Sequence, residues 1–287
     1  MLERSRVKYL FVVPGIAWVL IFTIFPLLYS LILSLMHARL GNPYRFNFPD
    51  NFVRAVGDYR FWNALSITVF FVAISVLLTV SLGLGLALLF NRPIRGQRVF
   101  RSLFTMPLFT APIALGYLGL TIFHEEIGAV NTVLRAMGIE NLPPWFSAIW
   151  PARLAIVLVD VWQWTPFCFL VLLAGLQSLP DEVYEAAALD TSSAWDTFRY
   201  ITLPMLSPVL FTVTILRLVE AFKVLDIPFS MTGGGPGAGT QTYSYYIYLT
   251  GLRNQNFGYA SALAYILLVI LMLISMSFFR RLRKIYE

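Results

Sequence analysis

The residues best suited to chemistry are polar and charged side chains that stand inside long apolar stretches of the sequence. In one stretch the charges alternate in sign at steps of three, through Arg217, Glu220, Lys223 and Asp226. Charged groups within a bilayer are rare and usually face a protein interior or a water-filled cavity. Carboxylates and amides bind hydroxyl groups, whereas an aromatic ring covers an apolar ring face. We therefore predict a path for a polar solute, lined by Asp160, Gln163, Trp164, Phe167, Arg217, Glu220 and Lys223.

The same row of charges has a second, purely structural interpretation. Residues three apart on a helix are neighbours, so each positive side chain can pair with the next negative one. Such a ladder would neutralise itself while it packs against other helices, because buried charges usually pair. The central Arg217 could instead bind an anionic group on the solute, since a guanidinium matches carboxylate, phosphate or sulfonate oxygens. The sequence leaves these alternatives open.

Other chemistry has little support in the sequence. The only two histidines, His37 and His124, lie far apart, and neither metal-ligand spacing nor a nucleophile motif is present. The single cysteine, Cys168, stands in an apolar run and is interpreted as a packing residue. The glycine-rich stretch 233–239 is not followed by the lysine of a phosphate-binding loop. We predict no catalytic residue, no metal site and no cofactor in this chain, which is therefore a non-catalytic protein.

The elements that position the polar residues are predicted to be membrane-spanning helices. Of the 287 residues, 58% are hydrophobic and only 13% are charged, and the mean hydropathy is +0.73. Soluble domains carry about 25% charged residues, so apolar side chains here must also face lipid. Crossing a bilayer takes roughly 20 residues of helix. Six apolar runs are long enough, at 9–35, 64–90, 103–123, 154–176, 205–228 and 259–279.

These runs predict an all-α, polytopic membrane protein with six transmembrane helices in a single domain, 1–287. The first run is too long for the apolar part of a cleaved signal peptide, so it is interpreted as an uncleaved span. The formal charge is +6, but the basic residues stand at the ends of the apolar runs, which favours membrane lipid over nucleic acid as the partner. Arginine and lysine clusters at 92–101 and 280–284 predict that both termini are cytoplasmic.

This orientation leaves one long cytoplasmic loop, 177–204, between the fourth and fifth spans. It is predicted to form two short helices, and Ser193 with Asp196 three residues later fits a capping box for the second. That helix has one apolar side, formed by Trp195, Phe198 and Ile201. Leu203-Pro204 is expected to end it. Because apolar side chains on a water-facing loop need a cover, we predict a docking surface for a partner protein.

The loop resembles a motif of binding-protein-dependent permease subunits in ATP-binding-cassette importers. That cytoplasmic motif reads Glu-Ala-Ala, then Asp-Gly, then Ile-x-Leu-Pro. The chain matches it at Glu185, Ala186, Ala187, Asp190, Ile201, Leu203 and Pro204. It departs at Thr191, where the family usually has glycine, and a β-branched residue resists the left-handed turn that glycine permits.

A second stretch resembles the carbohydrate branch of this family, which imports di- and oligosaccharides, polyols and glycerol phosphates. It runs from Met231 to Thr240 and is followed by Tyr246-Ile-Tyr248 and by Gly258 to Ala262. The resemblance covers nearly the whole chain. It implies a permease-like helix bundle with a cytoplasmic coupling helix.

The resemblance also implies a function. The chain would be one subunit of a bacterial inner-membrane importer that moves a sugar or sugar-like solute from the periplasm to the cytoplasm by alternating access. Its partners would be a second related permease, a periplasmic solute-binding protein and two ATP-binding subunits, which hold ATP and Mg. Coupling to the ATPase would use Glu185, Ala186, Ala187, Asp190, Leu203 and Pro204. An ion-coupled secondary transporter is the alternative, although no internal repeat of the usual kind is found; a membrane-embedded enzyme would lack a site.

Overall fold

The computed structural model describes residues 2–92, 95–190 and 193–286, and most of them are helical. The α-helices are α1 (Leu2–Val19), α2 (Phe25–Ser34), α3 (Asp50–Gly57), α4 (Tyr59–Phe90), α5 (Gln97–Thr105), α6 (Pro112–Ile122), α7 (Ala129–Ala136), α8 (Ile149–Gln177), α9 (Asp181–Asp190), α10 (Ala194–Thr197), α11 (Leu203–Phe222), α12 (Asp226–Thr232), α13 (Tyr243–Tyr248) and α14 (Phe257–Tyr286). A 3-10 turn covers Met106–Phe109, and π turns cover Leu20–Ile24, Phe198–Thr202 and Leu249–Arg253. Two short antiparallel strands are β1 (Met36–His37) and β2 (Arg45–Phe46).

Within the described chain, five helices are long and apolar enough to cross a membrane, and a bent helix pair brings the number to six if it counts as one span. The five are Phe11–Ser34, Tyr59–Phe90, Ile149–Gln177, Ala194–Phe222 and Phe257–Arg281. Each of them overlaps one of the predicted runs. The predicted all-α, polytopic membrane fold is therefore confirmed, while two of the spans differ from their predicted form.

The third predicted span, 103–123, is not one straight helix. It corresponds to the pair Gln97–Phe109 and Pro112–Ile122, which are bent by 102°. Pro112 has no backbone N–H with which to continue a helix from the turn before it. Thr110 adopts an extended conformation just before it, with ψ of 137°. Hydropathy averaged over a window does not register such a break, so the sequence indicated a single span.

The fifth predicted span, 205–228, begins earlier than expected. The helix does not end at Leu203-Pro204, because α10, the π turn Phe198–Thr202 and α11 form one span, Ala194–Phe222. Pro204 lies in the first turn of α11. Proline removes one N–H from the helical ladder, and the wide π turn just before it accommodates that loss.

The fifth span also ends earlier than expected. α11 stops at Phe222, and Asp226 begins the separate helix α12. In an uninterrupted helix, the ring of Pro228 would clash with the carbonyl group of Val224, four residues before it. The predicted limit at residue 228 is therefore wrong, and residues 223–225 form a break.

Close contacts divide the chain into two compact units, of which the second comprises 63–245 and the residues from 271 onward. Its core lies between α4, α8 and α11 and contains Ala87, Cys168, Phe169, Leu172, Leu206 and Val213. A side chain at Gly83 would bring its Cβ to 2.6 Å from the Cβ of Cys168. Small residues allow transmembrane helices to approach closely. The interpretation of Cys168 as a packing residue is thus confirmed.

The first unit comprises the residues up to 62 together with 246–270. Asn51 in α3 donates hydrogen bonds of 2.9 Å to the carbonyl groups of Ser34 and Met36, which ties α3 to the segment after α2. The N–H of Gly258 donates to the carbonyl of Ala38 at 2.9 Å, which ties the start of α14 to the same segment. Chain segments far apart in sequence are thereby held side by side.

Candidate functional site

A cavity of about 250 Å³ lies in the second unit, where several of its helices are interrupted. It is lined by Pro112, Asp160, Gln163, Trp164, Glu220, Lys223, Val224, Leu225, Asp226 and Ile227. α8 supplies one wall. Pro112 begins α6 at the bend, and residues 223–225 are the break between α11 and α12. Both helix interruptions therefore contribute to the cavity, and the break at 223–225 brings the polar side chain of Lys223 to it.

A buried ion pair next to the cavity joins α8 to α11. Arg217 forms a salt bridge with Asp160, and their side chains are 0% and 2% exposed. Ser75 of α4 completes the group, because its hydroxyl donates to Asp160 and accepts a 2.7 Å hydrogen bond from Nη2 of Arg217. The guanidinium carbon of Arg217 lies 5.2 Å from the centroid of the Trp164 ring. Arg217 thus stands behind two lining residues and is not itself in the lining.

The surroundings of this ion pair do not satisfy all of its hydrogen-bonding groups. Within the described part of the chain, the Nε and Nη1 atoms of Arg217 are buried and have no hydrogen-bond partner. Removing either member of a buried ion pair leaves an uncompensated charge, which is strongly destabilising. We therefore expect the pair to hold α8 against α11 only while both charges are present.

The predicted ladder of four charges does not form. Arg217 pairs across to α8, whereas Lys223 pairs with Glu220 at 2.7 Å, with about half of each side chain exposed. Asp226 lies beyond the break, in the first turn of α12. The row is divided because the helix that would carry it ends at Phe222.

Two residues of the predicted path differ in what they offer a solute. Gln163 is buried, and its Nε2 lies 3.5 Å from the carbonyl oxygen of Thr110. Its Oε1 has no hydrogen-bond partner within the described chain, so it remains available to a donor in the cavity. Phe167 is not among the lining residues; it packs against the core, and its ring stands at 87° to that of Trp164, with centroids 5.9 Å apart.

The sequence analysis missed Ser75, which is fully buried at the ion pair. A signal for it exists in the run 64–90. Thr68, Ser75 and Thr79 are polar positions seven and four residues apart, and this spacing puts them on one face of a helix. All three are fully buried, as that face predicts for polar residues turned away from lipid.

The loop at 177–204 presents a second candidate surface. In α9, Glu185 and Ala186 are exposed, whereas Ala187 is only 3% exposed. The hydroxyl of Tyr184 donates to Thr202 Oγ1 at 3.2 Å and so ties α9 to the start of the fifth span. Ala187 therefore packs within this chain, while Glu185 and Ala186 are free to contact another protein.

Apolar side chains are exposed on the same loop. Leu189 is 89% exposed, and Trp195 is 64% exposed. Ser193 caps α10 by accepting a hydrogen bond from the N–H of Asp196 at 3.2 Å, as predicted. Thr191 and the side chain of Asp190 lie outside the described residues, so the turn between the two helices is not described.

A metal site is not indicated in the described chain, where no group of three or more His, Cys, Asp or Glu side chains is placed to hold an ion. The acidic residues of the cavity are already engaged in part. Asp160 pairs with Arg217 and Glu220 with Lys223. The arrangement is suited to binding a polar solute, through carboxylate and amide oxygens and one indole ring.

Comparisons with known proteins give a consistent result. Residues 79–284 match the family model described as "Binding-protein-dependent transport system inner membrane component". The trehalose/maltose transport system permease protein of Thermococcus litoralis is 35% identical over 235 residues, which cover 82% of this chain and 79% of that protein. The lactose transport system permease protein of Rhizobium radiobacter is 34% identical over 272 residues, which cover 93% and 91%.

The fold also matches solved structures. One chain of a bacterial alginate ABC transporter, crystallised in complex with an alginate pentasaccharide-bound periplasmic protein, superposes with a TM-score of 0.87. The match covers 99% of this chain and 96% of that chain at 22% sequence identity. At this identity the likeness concerns the fold, which is the one that the sequence predicted.

Proposed function

This chain belongs to the family of inner membrane components of binding-protein-dependent transport systems, and on that premise we propose that it carries a sugar or sugar-like solute from the periplasm to the cytoplasm by alternating access. We therefore propose transport that depends on a binding protein and an ATPase, and not the ion-coupled alternative. The observation that carries the proposal for this chain is the cavity of about 250 Å³ with its polar lining.

The lining fits a neutral, hydroxyl-rich solute. The free Oε1 of Gln163 accepts a hydrogen bond, and the half-exposed carboxylate of Glu220 accepts others. The Trp164 ring offers an apolar face to a sugar ring. Arg217 is paired with Asp160 and fully buried, so it favours the hydroxyl-rich solute over an anion at this position. The volume lies just below the range of ordinary ligand pockets, roughly 300–1,000 Å³, which fits a site completed by a second permease.

A substitution at Trp164 tests this proposal. We expect Trp164→Ala to weaken the apparent affinity for the transported sugar by about tenfold, because an aromatic stacking partner contributes on the order of 1 kcal/mol beyond its buried area. The measurement is uptake into liposomes that contain the complete complex, over a range of concentrations of sugar-loaded binding protein. Trp162→Ala is the matched control, because Trp162 lies on the same helix, is exposed and does not line the cavity. Equal transport by the two variants would exclude Trp164 from the path.

The proposed assembly contains a second related permease, a periplasmic solute-binding protein and two ATP-binding subunits, which hold ATP and Mg. The exposed surface of α9 supports a contact with an ATP-binding subunit. Glu185 can pair with a basic group, and Ala186 leaves room for a close approach. The exposed Leu189 and Trp195 would be covered in the same contact.

Both termini are proposed to be cytoplasmic, and cysteine labelling tests this orientation. In a Cys168→Ala background, the exposed residues Asn91 and Asn141 are replaced one at a time by cysteine. We expect an impermeant maleimide applied to intact cells to label the cysteine at position 141 and not the one at 91, because the arginine cluster 92–101 favours the cytoplasmic side. Opening the cells serves as the control and should expose both. If only the cysteine at position 91 were labelled in intact cells, the proposed orientation would be wrong and both termini would lie outside.

A further inference from the structure

A concave, strongly basic surface lies in the first unit, apart from the cavity described above. It is an open depression with a volume of about 710 Å³. We call it the arginine basin, and define it by the residues that line it, namely Arg39, Arg54, Gly57, Asp58, Arg60, Tyr246, Thr250, Arg253, Asn254, Asn256 and Tyr259. Four arginines and a single acidic residue thus line one depression.

The four arginines come from three separate chain segments that the fold holds together. Arg39 follows β1, and its backbone forms an isolated β-bridge with Asn256. The N–H of Leu40 donates to the carbonyl of Gln255 at 3.1 Å. Arg253 ends a π turn just before this contact. Backbone hydrogen bonds therefore bring like charges together, against their mutual repulsion.

The single carboxylate of the basin does not neutralise these arginines. Oδ2 of Asp58 accepts hydrogen bonds from the hydroxyl groups of Tyr246 and Tyr259, at 2.6 and 2.7 Å. Its Oδ1 accepts from the backbone N–H of Arg60 at 2.9 Å. Burial raises the pKa of Asp58, but these hydrogen bonds more than offset that effect and leave its pKa below the usual value. Asp58 therefore stays ionised and serves to orient the two tyrosines.

One of those tyrosines in turn orients an arginine. The guanidinium carbon of Arg54 lies 4.3 Å from the centroid of the Tyr259 ring, a cation–π contact that fixes the group without neutralising it. Within the described chain, no salt bridge joins Arg39, Arg54, Arg60 or Arg253 to a carboxylate. Guanidinium groups bind the oxygens of phosphate in a bidentate fashion. A phosphate group is therefore well suited to supply the negative charge that these arginines lack.

The surroundings of the basin favour a ligand at the membrane surface. α3 carries Arg54 and also the exposed apolar residues Val53 and Val56. Tyr59 and Trp62 are exposed at the start of the second span. Tyrosine and tryptophan concentrate at the headgroup level of bilayers, and amphipathic helices lie in that plane.

We propose that the arginine basin binds a phosphate group, either on the headgroup of an anionic lipid or as free inorganic phosphate. The four guanidinium groups, none of which forms a salt bridge within the described residues, supply the charge, and Asn254 and Asn256 line the same depression and add neutral donors. The volume of about 710 Å³ exceeds the needs of one phosphate ion and accommodates a glycerol-bearing headgroup. The site is independent of the sugar path and of its proposed function.

The test uses the complete purified complex and two probes. Phosphatidylglycerol and phosphatidylcholine are added in detergent, and retained lipid is measured by native mass spectrometry; inorganic phosphate is titrated separately and followed by ³¹P NMR. We expect selective retention of phosphatidylglycerol, and at least about a tenfold loss of it in Arg54→Gln/Arg253→Gln, because hydrogen bonds to charged groups are strong. Arg45→Gln is the matched control, since Arg45 is an exposed arginine of the same unit outside the basin.

Each outcome bears on the proposal. Selective loss of phosphatidylglycerol in the basin variant identifies a lipid headgroup, whereas binding of phosphate alone, lost in the same variant, identifies the free ion. Arg60→Gln is the second variant, in case the double one does not fold. The hydrogen bond of Arg60 to Asp58 uses the backbone N–H of Arg60, so this substitution leaves it in place. If both probes bind wild type and basin variants equally, the proposal is wrong. It is equally wrong if those variants lose only their association with the solute-binding protein, since the basin would then receive an acidic protein surface.

Discussion

Arg217→Gln is expected to reduce the amount of folded protein in the membrane to a small fraction of wild type. The substitution leaves Asp160 buried at 2% exposure without its counter-charge, and breaking a buried pair costs about 3–5 kcal/mol. That is a large part of the stability of a typical protein, about 5–15 kcal/mol. The measurement is the yield of monodisperse complex after gentle solubilisation, together with its thermal unfolding midpoint.

The double variant Asp160→Asn/Arg217→Gln distinguishes charge from packing. It removes both charges together, so we expect it to be more stable than Arg217→Gln alone, with the difference measured as a coupling energy in a double-mutant cycle. The control is Glu220→Gln/Lys223→Gln, an exposed pair of the same type, for which the change is about 0–1 kcal/mol. If Arg217→Gln proved as stable as that control, the buried pair would not hold α8 to α11.

Ala186→Trp is expected to abolish coupled transport while the protein still inserts and folds. Ala186 is exposed, so its own chain tolerates the larger side chain, whereas the proposed ATP-binding partner, packed closely on α9, would not. Altering a residue at the centre of an interface costs about 2 kcal/mol or more of binding free energy. This corresponds to a loss of affinity of roughly thirtyfold. The measurement is ATP hydrolysis stimulated by the loaded binding protein, together with uptake, in reconstituted complexes. Ala187→Trp is the contrasting variant, because Ala187 is buried in this chain and its replacement disturbs the fold itself.

A charge reversal on the same helix provides an independent check. Glu185→Lys is expected to weaken coupling, and Glu182→Lys is its matched control, one turn earlier and also exposed. Normal stimulation of ATP hydrolysis in both Ala186→Trp and Glu185→Lys would contradict the assignment of this surface to the ATPase. Equal loss in Glu185→Lys and Glu182→Lys would show a general effect of charge, and the specific role of Glu185 would then be wrong.

The membrane-spanning architecture could be predicted because it depends on local composition. Twenty or so apolar residues cross a bilayer whatever their neighbours are, and caps such as Ser193 involve residues three apart. The helix breaks at Pro112 and at 223–225 depend on single residues, which hydropathy over a window conceals. Proline positions in the apolar runs carried that information.

The partners of the charged residues could not be predicted in the same way. The i, i+3 rule relates residues on one helix, and it correctly paired Glu220 with Lys223. The partner of Arg217 is Asp160, 57 positions away, and it is reached only when α8 and α11 pack together. A rule based on spacing along one helix cannot predict such a contact. The arginine basin shows the same limit, since backbone pairing near Asn256 assembles it.

The continuous span Ala194–Phe222 has a mechanical consequence. Its 29 residues, at about 1.5 Å each, make a rod of roughly 43 Å. The exposed Trp195 stands near one end, and Glu220, at the cavity, stands near the other. No loop separates them, so we expect a displacement of the first turn, at the proposed ATPase contact, to tilt the helix and move Glu220 at the cavity. The π turn Phe198–Thr202 and the interior proline Pro208 both interrupt the regular hydrogen-bond ladder of this helix, so a change at either position would alter how far the cavity end moves.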